Sequence, residues 1–236
     1  MSEFFLELLS EEIPSTLQKN ARDVLLKLFK ESFEKNDIKF KSGKSFSTPK
    51  RLIIYFEGIP KTIEQKSLNI KGPKVGTPPE ALEGFIKSNN LNESDIFKES
   101  NEKGEFFFAK TKAKTLIIGD ELSLLVPEIL KKYSWKKSMR WADYSLNWGR
   151  PLKSILCLFD NEIIKFKFFH LESNDLTFIE EISDESGKKL KSFKEYLELM
   201  KSKKIIIDHE LRKKEILKQI NKIIASRKFK KEINEK

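Results

Sequence analysis

Two apolar runs, 151–159 and 162–169, meet at Asp160-Asn161. A residue pair that tolerates left-handed backbone, set between two strand-like runs, predicts a β-hairpin. Upstream, loose alternation predicts a strand over 3–9, and further strands are expected over 38–41 and 51–57, the last rich in β-branched and aromatic residues and ended by Gly58. Between them Leu17, Ala21, Val24, Leu25, Leu28 and Phe29 recur at three- and four-residue spacing, as one buried helix stripe requires. Pro14 suits the first turn of that helix, where its missing N–H has no intrahelical partner.

From Lys71 the texture changes, because Gly72-Pro73, Gly76 and Pro78-Pro79 interrupt the pattern before a short helix expected over 80–90. Residues 97–100 can pair with 105–111 across 101–104. A helix beginning near Asp120 carries Leu122, Leu125, Val126, Ile129 and Leu130, with Pro127 inside it as a kink or a delayed start. Ser192 and Glu195 form a capping box for a helix to about Lys203. Ile205-Ile206-Ile207 reads as a short buried strand, and Asp208 caps a last helix with Leu211, Ile216, Leu217, Ile220, Ile223 and Ile224 on its apolar side. The class is α+β: mixed strands and helices with a small inserted subdomain, and no doubly wound nucleotide fold. The expected segments are 1–70 (strand-helix-strand), 71–137 (the insert), 138–226 (hairpin plus helix-strand-helix) and 227–236 (a frayed charged tail).

Charge narrows the partners. A formal net charge of +10 and 35% charged residues make a polyanion a plausible ligand. Only six of the 46 basic residues are arginines, however, and such a lysine skew also fits plain compositional bias. Catalytic chemistry is hard to place: His170 and His209 lie outside metal-ligand spacing of each other and of Cys157, so no metal ligand is assigned. Gly43-Lys44-Ser45 lacks the earlier glycine of a phosphate loop, no nucleophile elbow occurs, and no catalytic residue can be named. Cys157 sits in an apolar run, where a thiol behaves as a small hydrophobe. With no leader pattern and no apolar stretch of bilayer length, the expected location is the cytoplasm, away from membranes.

Four blocks carry a family likeness in one order. They are Phe4-Phe5-Leu6-Glu7-Leu8 through Glu11-Glu12-Ile13-Pro14; Thr48-Pro49-Lys50-Arg51-Leu52; Lys71-Gly72-Pro73 with Ala81 and Gly84-Phe85; and Met139-Arg140-Trp141 with Trp148-Gly149-Arg150-Pro151. Together they resemble the amino-terminal part of the β subunit of bacterial glycyl-tRNA synthetase (glycine–tRNA ligase). Further likeness runs through Ser192–Leu197 and Ile206–Lys213. The resemblance implies a non-catalytic component that supports tRNA(Gly) and a separate α subunit, where ATP and Mg would bind; no cofactor is expected on this chain. It also implies carboxy-terminal HD-like and anticodon-binding regions not found here, so a separate carboxy-terminal β fragment joins the expected partners. One family segment, Thr-Arg-Gly-His-Arg-Phe, is replaced by the acidic stretch Leu176-Thr177-Phe178-Ile179-Glu180-Glu181.

Arginines retained in a lysine-rich chain are candidate geometric requirements, because a planar fork grips phosphate or carboxylate in a way lysine does not. Arg51, Arg140 and Arg150 lie inside the family-like blocks, with Trp141 or Trp148 as an aromatic platform, and Lys50 and Lys71 complete the candidate tRNA or subunit contacts. The competing reading has such an arginine pack on an indole and pair with an internal carboxylate such as Glu57 or Asp143. Lys35, Lys39, Lys41, Lys44, Lys50 and Lys61 form either solvated charge or a phosphate track. Phe106-Phe107-Phe108 and Phe166, Phe168 and Phe169 are mostly expected in the core, unless one is left on an open sheet to stack a base. Alternative functions are a free-standing RNA-binding module and a structural domain that docks α without touching RNA; a hydrolytic editing role is the weakest.

Overall fold

The segment Phe4-Phe5-Leu6-Glu7-Leu8-Leu9 is apolar on both alternating faces apart from one acid, and such a strand needs cover on both sides. In the computed structural model, which describes residues 2–65, 69–89, 91–101, 104–110, 114–179 and 187–227, it is β1 (Ser2–Ser10). There follow α1 (Ser15–Lys35), β2 (Ser42–Thr48), β3 (Arg51–Ile59), β4 (Thr62–Gln65), β5 (Asn69–Lys74), α2 (Pro79–Ser88), β6 (Ile96–Asn101), β7 (Gly104–Lys110) and β8 (Lys114–Ile117). The remainder comprises α3 (Ile118–Lys132), β9 (Leu152–Phe159), β10 (Glu162–Ile163), β11 (Lys167–Phe168), β12 (Leu171–Asn174), β13 (Leu176–Thr177), β14 (Lys188–Lys189), α4 (Phe193–Ser202) and α5 (His209–Arg227). The fold is α+β, and the chain divides into two compact units, 1–61 with 118–236, and 62–117.

The first unit is built on a sheet of order β11-β12-β9-β1-β3-β2, with β10 added to β9. Every pairing along it is antiparallel except β12 with β9, which separates it from a doubly wound sheet. One face of β1 meets α1: the Phe4 ring lies 5.6 Å from Phe29 and 6.2 Å from Phe33. The other meets α4, with Phe5 5.1 Å from Phe193 and 4.8 Å from Tyr196. Rings at these separations and tilts add to simple area burial. Beside the first face, α3 packs on α1 and buries Ile118, Leu122, Val126, Ile129 and Leu130, its helix running through Pro127. Cys157 stands opposite Leu6 in the sheet and is fully buried, which pushes its thiol pKa well up.

The insert differs from expectation at both ends. It begins at 62 instead of 71, because β4 pairs with β8 from Thr62↔Ile117 to Gln65↔Lys114. It stops at 117 instead of 137, because α3 belongs with α1. Within the insert β5-β7-β6 form a sheet, and the 96–101 and 104–110 strands pair as the sequence predicts.

Three local expectations are corrected. The strand near 38–41 lies instead at 42–48, where β3 supplies a partner along its whole length. Glu162 and Ile163 pair on β9, and the Ile164 N–H still donates to the Cys157 carbonyl at 3.0 Å; beyond it the chain leaves β9, and the Ser173 hydroxyl donates to the Ile164 carbonyl (2.7 Å) and accepts from the Phe166 N–H (2.8 Å). Residues 205–207 form no strand; the Ile205 N–H closes α4 on the Met200 carbonyl at 2.8 Å. Two caps hold, Ser192 Oγ accepting from the Glu195 N–H (3.2 Å) and Asp208 Oδ1 from the Glu210 N–H (2.9 Å); Asp120 is no cap, since α3 already starts at Ile118 and takes it into the first turn. Of the charged tail, 228–236 lies outside the described residues. Among the described residues no helix is long and apolar enough to cross a membrane.

Candidate functional site

A carboxylate on the inner face of a central strand costs several kcal/mol to desolvate unless it is paired and hydrogen-bonded. Glu7 is 1% exposed and meets that demand by accepting from three side chains. Arg51 Nε donates to its Oε2 at 3.0 Å, and the Thr177 hydroxyl donates to its Oε1 at 2.6 Å. The Tyr196 hydroxyl donates to Oε2, while Arg51 Nη2 donates to the Phe178 carbonyl. Burial, then the Glu7 charge, drives the Tyr196 pKa well up, so the phenol stays a neutral donor. This cluster ties β1, β3, β13 and α4 together, and Arg51 at 4% exposure offers no surface to a ligand. The sequence gives a signal for it, one acid inside an apolar strand, but the partners are far along the chain.

The same sheet end gathers several cations. The two-residue Pro49-Lys50 turn joins β2 to β3 and leaves the Lys50 side chain exposed. The Ser10 N–H donates to the Lys50 carbonyl at 2.9 Å. From the start of β9, Arg150 Nε donates to the Glu12 carbonyl at 3.1 Å, and Lys153 pairs with Glu11. That lysine holds the Glu11 carboxyl below the usual range. Lys50 and Arg150 therefore sit at one end of β1, whereas Lys71 lies in the other unit with its ammonium 3.6 Å from the Phe106 ring centre.

The Met139-Arg140-Trp141 and Trp148-Gly149-Arg150 blocks are two ends of one loop. Met139 and Trp148 exchange both backbone hydrogen bonds, at 2.8 and 3.2 Å, and close the intervening residues into an excursion. Trp148, 1% exposed, anchors it among Tyr133 (5.6 Å), Trp135 (5.5 Å) and Phe168 (5.9 Å). Gly149 allows this approach, since a Cβ there would stand 2.4 Å from Trp135 Cε3. A cavity of about 340 Å³ opens beside these rings, with Phe169 at its lining.

Out on the loop, Arg140 is exposed and its Nε donates to the Tyr144 carbonyl at 3.3 Å. The Tyr144 ring stacks on His170 with centres 3.6 Å apart and planes 10° from parallel, and Trp141 meets both edge-on. Thus Arg140 is exposed, Trp141 is half-buried and Trp148 serves the core; the Tyr144–His170 stack is one the sequence does not single out, and next to His170 in the chain Phe169 is the aromatic left exposed. Among the described residues no group of three or more His, Cys, Asp and Glu side chains could hold a metal. The arrangement offers stacking faces and positive charge.

A family model described as "Glycyl-tRNA synthetase beta subunit" matches residues 4–236. The chain is 36% identical over 218 residues to the glycine–tRNA ligase beta subunit of Rickettsia bellii (strain OSU 85-389), covering 92% of this chain and 33% of that protein. To the same subunit of Rickettsia prowazekii (strain Madrid E) it is 37% identical over 219 residues, 92% of this chain and 32% of the relative. The chain thus spans about a third of the length of the curated relatives it matches.

Proposed function

The chain belongs to the glycyl-tRNA synthetase beta subunit family, and from that premise we propose that it acts as a non-catalytic region supporting an α subunit and tRNA(Gly) in ATP-dependent glycine attachment. ATP and Mg would be held by the α subunit, and the compartment would be the cytoplasm. The observation that supports this reading most is the loop closed by Met139 and Trp148, which leaves Arg140 exposed next to Trp141 and meets Arg150 through Met139, whose sulfur lies 3.9 Å from Arg150 Nη1. Arginine forks and flat rings suit phosphates and unpaired bases.

The test is co-purification of the chain with the α subunit, followed by glycine charging of tRNA(Gly) with and without it. Charging that depends on the chain is expected. Equal charging in its absence, together with no association with α, would remove the proposal. Tight tRNA binding without any α association would instead favour a free-standing RNA-binding module.

A further inference from the structure

Phe169 is strained where it stands. It occupies the two-residue turn between β11 and β12, whose flanking residues Phe168 and Leu171 pair directly, and its φ is +54°. A left-handed position of this kind suits Gly or Asn; a bulky residue there costs about 1–2 kcal/mol. Phe169 is nevertheless 43% exposed, with the Phe168 ring 5.1 Å away and nearly perpendicular to its own. The next residue, His170, carries the parallel stack with Tyr144, which is itself 41% exposed. Two elements far apart in sequence thus bring flat rings to one surface.

The electrostatics are those of a polyanion site. Arg140 is fixed by its Nε to the Tyr144 carbonyl, and among the described residues no carboxylate lies within ion-pair distance of it. Lys136, Lys137 and Lys167 are exposed on the adjoining segments, and Asp143 is the single acid between Met139 and Trp148. Rings flanked by cations match the pattern by which proteins hold single-stranded nucleic acid, bases on the rings and phosphates on the charges. An apolar protein partner would leave these cations uncompensated.

Building on the RNA-supporting function above, we propose that Tyr144, His170 and Phe169 form a stacking platform for unpaired nucleotides of an RNA strand, with Arg140 on the phosphate. The 236-residue chain is titrated with a short RNA duplex bearing an unpaired 3′ tail and with its blunt counterpart. The tailed RNA binds about tenfold more tightly, the effect of roughly one to two stacked bases. Tyr144→Ala and Phe169→Asn erase that difference without unfolding the chain, and Phe169→Asn melts no lower than the wild type, Asn being at ease in the left-handed region. Ultraviolet cross-linking joins tail nucleotides to peptides containing Tyr144 or Phe169. If both RNAs bind the wild type and both variants equally, the platform is wrong and the broader RNA reading survives. If neither RNA nor tRNA(Gly) binds, even with the α subunit present, both fall together.

Discussion

Arg51 Nε lies 3.0 Å from Glu7 Oε2, a contact made diagonally across β3 and β1, where Leu9 faces Arg51 and Glu7 faces Ile53. Both side chains are nearly withdrawn from water, so neither charge is tolerable without the other. The pair also receives Thr177 and Tyr196, so it fixes where α4 and β13 dock on the sheet.

Removing one partner is therefore expected to be severe. Arg51→Ala or Glu7→Ala should cost about 3–5 kcal/mol, whereas Glu7→Leu combined with Arg51→Met should recover most of it. Denaturant midpoints measure both. A single variant as stable as the wild type would show that the pair contributes little.

Gly149→Ala places a methyl against the Trp135 ring, 2.4 Å from Cε3. Because Trp135 is packed against Tyr133 and Trp148, the ring cannot simply swing aside. A loss of about 1–3 kcal/mol is expected, with a change in tryptophan emission; an unchanged spectrum and melting curve would contradict it.

Ser192→Ala removes the acceptor for the Glu195 N–H at the start of α4. The expected cost is about 1 kcal/mol. Since α4 covers Phe5 through Phe193 and Tyr196, amide exchange should quicken in α4 more than in α1, and uniform exchange rates would argue against a local cap effect.

Alkali should weaken the fold through its tyrosines. Burial, reinforced by Glu3, pushes Tyr55 from 10.0 up to about 12, so the folded chain keeps a proton that the unfolded chain has lost. Stability is then fully present below pH 10.0 and declines as pH rises toward about 12. Thermal midpoints across this range should fall, and Tyr55→Phe should flatten the slope; an identical slope in the variant would assign the effect elsewhere.

What could be read from sequence follows the range of the interactions. The helices α1 and α4, the strands β1 and β3, and the β6–β7 hairpin declare themselves through local period or caps. The edge strand β2 does not: Ser42-Gly43-Lys44-Ser45-Phe46-Ser47-Thr48 has one large apolar residue, and only pairing with β3 makes it a strand. Arginine within a lysine-rich chain did signal a geometric demand at Arg51. Its carboxylate is Glu7 instead of Glu57 or Asp143, 44 residues away in sequence, while Tyr196 joins across 189. No local pattern encodes such separations. Likewise Phe166, Phe168 and Phe169 look equivalent as letters; the turn at 169–170 decides that Phe168 is buried and Phe169 half exposed.

Cys157 is the chain's single thiol, held on β9 against β1 with its ionisation suppressed by burial. An alkylating reagent reacts with thiolate, so it must wait for these strands to separate. Labelling kinetics at that one sulfur consequently time the opening of the sheet's midline, and any ligand that steadies the first unit would lengthen the wait in proportion to its grip.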